Sequence, residues 1–396
     1  MVTQSPLAPL SNPSVLKELI WTDPHDLSRE MLNPIMHDLH LSPPLSIPPV
    51  DSCPSLGHFA KVPREIPDKI LSSLDLQSLW SFARASRGAY QIVNGHYQYR
   101  ELRRHAAYVI AALFRTRLAR EHSIARLYAA LKGTECATCK HFGAYLWLLS
   151  AERACYQCML EKPAYSFVLP SSVAGANLCW RDKKDREKLR MFYPVPGEYG
   201  PSKERRIKEG TALISAAEAF VLSKKLGEPG GRWFEPGRMV QEIEDKMWES
   251  ILAESWYFRT RGLEPFALFA VPFPSLNSDG TPREVGWCVG CNILYSWHYG
   301  KGKEYERYLL DDLEPQERER IEQGDTISFM MHADTQISAV KVVKGYGEAA
   351  RRAWLREELV KRHLGECDGA KLVRTRIQKG KWEGRPWWVV VPFGGF

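Results

Sequence analysis

The chain has 396 residues, 44% of them hydrophobic and 26% charged, with a formal net charge of +7. That length supports two or three domains with a sizeable core, and that balance excludes a wholly disordered or fibrous protein. The modest positive excess permits acidic partners but falls short of a dedicated polyanion binder.

Residues 1–58 read as a Pro-rich leader, since ten of the 26 prolines lie before residue 60. Repeated loss of backbone donors predicts an extended or disordered state there, with one short helix at Ser14 to Trp21. No basic segment followed by an apolar run marks a secretory signal. No apolar run approaches the roughly 18 residues of a membrane span. The expectation is a soluble intracellular protein, cytoplasmic or nuclear. Its nine cysteines are then thiols or metal ligands rather than disulfides.

From Val62 to Val93 the sequence is VPREIPDKILSSLDLQSLWSFARASRGAYQIV. Ile66, Ile70, Leu71 and Leu74 recur on one helical face, and Pro67 falls in the first turn, where a missing N–H is tolerated. A second helix from Leu76 turns Leu79, Phe82 and Ala83 inward. The turn near Gly88 leads into Tyr90 and Val93, so the unit is three short helices. Next, Tyr97 to Lys132 is expected as one long helix, with eight Lys or Arg against two Glu. Its basic side reads as a solvated face, with a nucleic-acid surface as the alternative.

Cys136, Cys139, Cys155 and Cys158 follow in the spacing C-x2-C-x15-C-x2-C. Each CxxC turn can present two thiolates to one tetrahedral ion, and the intervening segment folds the second pair onto the first. Zinc suits four sulfurs, and a closed set of this kind is structural because no position remains for water or substrate. A redox pair of the thioredoxin type would need a single CxxC in a βαβ context, which is missing here.

Downstream, Thr211 to Leu226 and Met239 to Trp256 are predicted as helices. LFAVPFPSLNSDGTPREVGWCVGC reads as a strand, a turn at Asp279 and Gly280, and a second strand entering another CxxC. Helix is expected at Tyr305 to Glu322, a β-like stretch at Ile327 to Val343, helix again at Glu348 to His363, and an apolar end, WWVVVPF. Cys288 and Cys291 pair with His363 and Cys367, the other close pair of donors, as C-x2-C…H-x3-C. This is a second candidate zinc site of three cysteines and one histidine, with His298 and His332 as competing donors. Cys53 and Cys179 are left over.

Val62 to Val93 resembles an F-box. Val62 and Pro63 stand at the family's Leu-Pro, then come Glu65 and Ile66, Ile70 and Leu71, Leu74, Asp75 and Leu76, and finally Leu79, Ala83, Ser86 and Arg87. Val62 in place of Leu, and Pro67 within the helix start, depart from the pattern. The order of an F-box, a basic helix, a four-cysteine stretch and a late H-x3-C also looks like the architecture of fungal F-box proteins. The resemblance implies a substrate receptor. The F-box would bind the Skp-type adaptor of a cullin–RING ubiquitin ligase through Val62, Pro63, Glu65, Ile66, Ile70, Leu71, Leu74 and Leu79, and the remainder would present a protein substrate of unknown identity.

The expected fold is α+β and mainly helical: a leader at 1–58, a three-helix F-box at 59–105, and a basic helix with the four-cysteine zinc segment at 106–190. A mixed α+β region at 191–396 follows. No catalytic residues are assigned, because GxSxG, GxxxxGK[ST], HExxH and GxGxxG are all missing from the sequence. The alternatives are a zinc-stabilised nucleic-acid-binding regulator, and an F-box scaffold working without a ligase. The apolar segment between the first two CxxC pairs suits a core better than a DNA groove.

Overall fold

A computed structural model of the chain describes residues 10–22, 62–63, 65–165, 167–168, 190–198, 206–215, 217–218, 268–296, 350 and 352–382. Within these residues helices combine with small antiparallel sheets, an α+β architecture. In chain order the elements are α1 (Pro13–Leu19), β1 (Ile20–Trp21), α2 (Glu65–Ser73), α3 (Leu76–Ala85), α4 (Arg87–Gly95), α5 (Tyr97–Arg115) and α6 (Ile124–Lys132). They continue with β2 (Tyr145–Trp147), β3 (Glu152–Ala154), α7 (Tyr156–Glu161), β4 (Phe167–Val168), β5 (Met191–Phe192), β6 (Gly197–Glu198), β7 (Arg206–Ile207), β8 (Leu213–Ser215) and β9 (Ala270–Pro272). The last are β10 (Val285–Cys288), α8 (Val289–Ser296), β11 (Trp354–Leu355) and α9 (Asp368–Gln378). Among the described residues no helix is long and apolar enough to cross a membrane.

The chain forms two compact units, one of Ser28–Arg283 with Gly395–Phe396 and one made of the two chain ends, Met1–Leu27 with Glu284–Gly394. Within the inner unit β9 pairs with β2.

In the inner unit the helix starts are set by short polar side chains. Asp75 Oδ1 accepts from Ser78 N–H at 2.8 Å, Ser86 Oγ from Ala89 N–H at 3.1 Å and Ser123 Oγ from Arg126 N–H at 3.3 Å. Such caps satisfy amide donors that have no intrahelical partner. Leu71, Leu76, Leu79, Val93, Leu102, Val109, Leu113, Leu127 and Leu131 form the buried faces of α2 to α6. Each fully buried leucine contributes about 1.5–3 kcal/mol.

Tyr97 to Lys132 is two helices, not one. Arg117 takes a left-handed φ of 61°, Leu118 N–H turns back to Leu113 O at 2.8 Å, and Ser123 starts α6 afresh. Ala106 is also non-helical within α5. The turn returns α6 to α2, with Ile124 N–H donating to Leu74 O at 3.0 Å.

Two three-stranded sheets follow, with β6 and β7 paired as a separate two-stranded ribbon. One has the order β3-β2-β9, with β2 and β3 joined by a turn in which Ala151 has φ 51°. The other has the order β4-β8-β5. Leu213–Ser215 is therefore the central strand of a sheet, where Thr211 to Leu226 was expected to begin a helix. A three-residue run buried on both faces carries no periodicity to separate the two states. Most of the rest of that expected helix lies outside the described residues, as do Met239 to Trp256, Tyr305 to Glu322, Ile327 to Val343 and WWVVVPF. Trp147, Tyr165, Phe167, Phe192 and Phe269 pack an aromatic core between these strands, Phe167 and Phe269 with centroids 4.7 Å apart.

In the terminal unit β10 is the middle strand of an antiparallel sheet, β1-β10-β11. In residues 10–22, within the expected leader, the short helix expected at Ser14 to Trp21 is present as Pro13–Leu19, while Ile20–Trp21 is a strand. Val15, Leu19 and Ile20 are buried against Cys288, Val289, Leu359 and Leu364. Asn12 caps α1 and Pro13 opens it, and the apolar spacing of Val15 and Leu19 supplies the buried stripe that outweighs proline content elsewhere. The expected helix at Glu348 to His363 is likewise broken. Trp354 pairs with Gly286 in β11, and helix resumes at residues 356–363, the last turn being a wide π turn at Leu359–His363.

Leu79→Ala should lower unfolding stability by about 2–5 kcal/mol. Ile70→Ala, at a residue 43% exposed, should stay within about 0.5 kcal/mol of wild type. Urea unfolding of the two variants side by side checks the assignment of faces.

Candidate metal centres

The first cluster is built on a turn and a helix start. Cys136 N–H donates to His141 O at 2.6 Å and Lys140 N–H to Cys136 O at 3.1 Å, with Lys140 at φ 64°. This tight turn carries Cys136 and Cys139. Cys155 follows β3 and caps α7, its Sγ accepting from Cys158 N–H at 3.4 Å, so Cys158 lies in the first turn. The four sulfurs all lie within 4.8 Å of one another, with Cys139 and Cys155 3.5 Å apart.

Arg153, just before Cys155, locks the two halves together. Its backbone O accepts from Ala137 N–H at 2.9 Å. Its buried guanidinium donates to Ala130 O at 2.8 Å, Gly143 O at 2.5 Å, Phe273 O at 3.2 Å and Pro274 O, and lies over the Phe142 and Phe273 rings. Burial lowers its pKa to about 10, which leaves it charged at neutral pH. Gly143 gives it room, since a Cβ there would lie 2.8 Å from the Arg153 Cβ. Nothing in the spacing of ERACYQC flags Arg153. The available signal is the alternation of β3, which turns Glu152 outward and Arg153 in.

The second cluster joins residues far apart in sequence. Cys288 ends β10, Cys291 sits in the first turn of α8, His363 ends the π turn and Cys367 precedes α9. Cys291 Sγ lies 3.1 Å from His363 Nε2 and 3.5 Å from Cys367 Sγ, and Cys288 Sγ lies 3.7 Å from Cys367 Sγ. Trp354 stacks on the His363 ring at 5.4 Å and 24° and fixes its plane. The approach of α8 to α9 depends on two glycines. A Cβ on Gly290 would run into the backbone of Gly369 and Ala370, and one on Gly369 into Gly290. Gly369 was not singled out from the sequence, although a glycine inside a helical pattern is a recognisable sign of close packing. His298 and His332 lie outside the described residues, as do Cys53 and Cys179.

The electrostatics of both clusters ask for a cation. At the first, a hydrogen bond from Cys155 lowers the Cys136 thiol to about 4. The same bond pushes Cys155 far up, and burial raises Cys158 to about 12. At the second, hydrogen bonds from Cys288 and Cys291 lower Cys367. Burial raises Cys288, and the hydrogen bond that Cys291 donates to Cys288 leads the rise at Cys291. Gathered sulfurs can thus hold one negative charge at low cost, while further thiolates repel it in a desolvated site. A bound divalent ion removes that conflict. Both clusters can hold a metal ion, with sulfur-rich four-ligand sets that fit zinc.

The remaining sequence-derived positions fall on two sides of α2 and α3. Leu71 and Leu79 are 2% and 1% exposed and belong to the chain's own core. Leu74 is half-buried, whereas Pro63 and Glu65 are exposed. Val62, Ile66 and Ile70 are 38%, 45% and 43% exposed. Beside them an apolar cleft of about 120 Å³ is lined by Pro67, Ile70, Leu71, Leu74, Phe82 and Ile92.

On α5, Glu101 is buried 3.5 Å from His105 Nε2, Arg103 bonds Asn94 and covers Tyr99, and Arg100 covers Tyr97. Arg104, Arg115, Arg117 and Arg120 are exposed. No protein family, curated protein or solved structure matches this chain.

Elemental analysis should find two equivalents of a thiophilic divalent ion per chain. Cys155→Ser should remove one and Cys291→Ser the other. Arg153→Met, which strips donors from four carbonyls, should destabilise the inner unit by more than about 3 kcal/mol and weaken ion retention at the first cluster alone.

Proposed function

We propose that this chain is an F-box subunit. Residues 59–105 would dock the Skp-type adaptor of a cullin–RING ubiquitin ligase, and the remainder would hold a protein substrate, with one structural zinc ion at each cysteine cluster. The carrying observation is the division of the three-helix unit α2 to α4. One side, through Leu71, Leu76, Leu79, Ala89 and Val93, is buried in the chain's own core. The other presents Val62, Pro63, Glu65, Ile66 and Ile70 outward. Exposed branched aliphatics next to an apolar cleft are the anatomy of a surface completed by a partner.

The donor sets support the zinc part of the reading. Each supplies four protein ligands, three or four of them sulfur. A set so closed leaves no coordination position for water, which suits a structural rather than a catalytic ion. Apparent binding free energies of about 10–16 kcal/mol for such ions exceed the net stability of most domains.

Co-purification with the adaptor tests the reading. Wild-type protein should retain the adaptor and, through it, cullin. Ile66→Asp with Ile70→Asp should weaken adaptor binding by at least about 30-fold without lowering the thermal midpoint. Full retention by that double variant would remove the adaptor role, and retention of adaptor without cullin would leave a scaffold rather than a ligase receptor.

A further inference from the structure

The second cysteine cluster is wrapped by a segment from the opposite end of the chain. β1 pairs antiparallel with β10 in the register Ile20 with Cys288 and Trp21 with Trp287, so the ladder runs over a metal-ligating residue. Ile20 fills the space where Gly286 would otherwise carry a Cβ, and the rings of Trp21 and Trp287 lie 6.1 Å apart. Val15 and Leu19 of α1 are 3% and 0% exposed, within the same apolar cluster as Cys288, Cys291, Leu364 and Cys367. Beyond α9, Trp382 Nε1 donates to Glu18 Oε2 at 2.8 Å. Residues 10–22 therefore touch both halves of the cluster, the β10–α8 half and the α9 half.

Those halves are joined across a long sequence gap by the ligand set itself and by the Gly290 and Gly369 contact. Without an ion, the like-charged or unpaired sulfurs no longer hold β10 and α8 against α9, and the platform for residues 10–22 loses its shape. Without residues 10–22, β10 loses an edge partner and the cluster loses the cover of Leu19 and Ile20. Two events that each stabilise the same arrangement are coupled, and the coupling is equal in both directions.

We propose that the face formed by β10, α8 and α9 is a metal-gated receptor for a helix–strand segment, occupied by this chain's own residues 10–22. The ion at the second centre sets the affinity for the segment, and the segment sets the retention of the ion. The proposal rests on the reading that the second cluster holds an ion.

The test uses the full chain with a protease site placed after Ser28. After cleavage, the fragment 1–28 should co-elute with the ion-loaded remainder on gel filtration and separate from it once a chelator has removed the metal. Cys155→Ser, which empties only the first cluster, should leave the fragment bound. In the reciprocal arm, Leu19→Asp should weaken the affinity for the second equivalent, read by equilibrium competition with a chromogenic chelator, by about 5- to 150-fold, with the first equivalent unaffected. Glu18→Gln, which only weakens the Trp382 hydrogen bond, should weaken the same affinity less, and it decides the matter if Leu19→Asp does not fold. Retention of the fragment after chelation, its loss while both ions stay bound, or unchanged affinity in the variants would overturn the proposal. A chain that binds only one equivalent overturns the metal reading and this coupling together, whereas two equivalents bound independently of the segment overturn the coupling alone.

Discussion

A guanidinium group buried among backbone carbonyls is the constraint on which the inner unit rests. Arg153 supplies donors to carbonyls from the end of α6, the stretch after the first CxxC turn and the chain leaving β9. Those carbonyls have left water, and each unsatisfied one costs about 1–3 kcal/mol. One side chain meets them all, and its own desolvation is offset by that number of bonds and by the flanking Phe142 and Phe273 rings. Because Arg153 also precedes Cys155, the arrangement that closes the core also aims the second CxxC at the first.

The two clusters reach similar donor sets by different routes, and this decides how far each was legible. In the first, all ligands lie between Cys136 and Cys158, so spacing alone carries the geometry. In the second, spacing shows two pairs but not what brings them together. The answer lies in Gly290, Gly369 and the Trp354 ring, whose roles exist only once α8 and α9 are in contact. The short helices α2 to α4 were readable from apolar spacing such as that of Leu71, Leu74 and Leu79, and the caps at Asp75 and Ser86 agree with it. The break in the basic stretch was not, since Arg117 in a left-handed conformation is set by tertiary contacts. Leu213–Ser215 and Ile20–Trp21 were misread for one reason: a short segment takes its state from the partner it lies against, here Met191–Phe192 and Val285–Cys288.

The same reasoning explains the split character of the 62–93 segment. A face that reads as one apolar stripe in sequence is divided in space, with Leu71 and Leu79 spent inside and Ile66 and Ile70 left out. The inner residues tie the segment to α5 and α6, so a partner gripping the outer ones would hold a rigid body rather than a loose arm.

The terminal unit has a consequence for how the protein is made. Its sheet pairs Ile20–Trp21 with Val285–Cys288, so it cannot form until the chain has left the ribosome beyond Cys288. Bringing such distant ends together costs about 5 kcal/mol in closure entropy for an unstructured chain, and prior folding of the intervening unit shortens that loop. At typical translation rates β1 waits on the order of 20 to 70 s for α9. During that interval Val15, Leu19 and Ile20 lack the cover that Cys288, Val289, Leu359 and Leu364 give them in the folded unit. Apolar surface left open in this way is an aggregation hazard during synthesis, and it closes only when β10, α8 and α9 have formed.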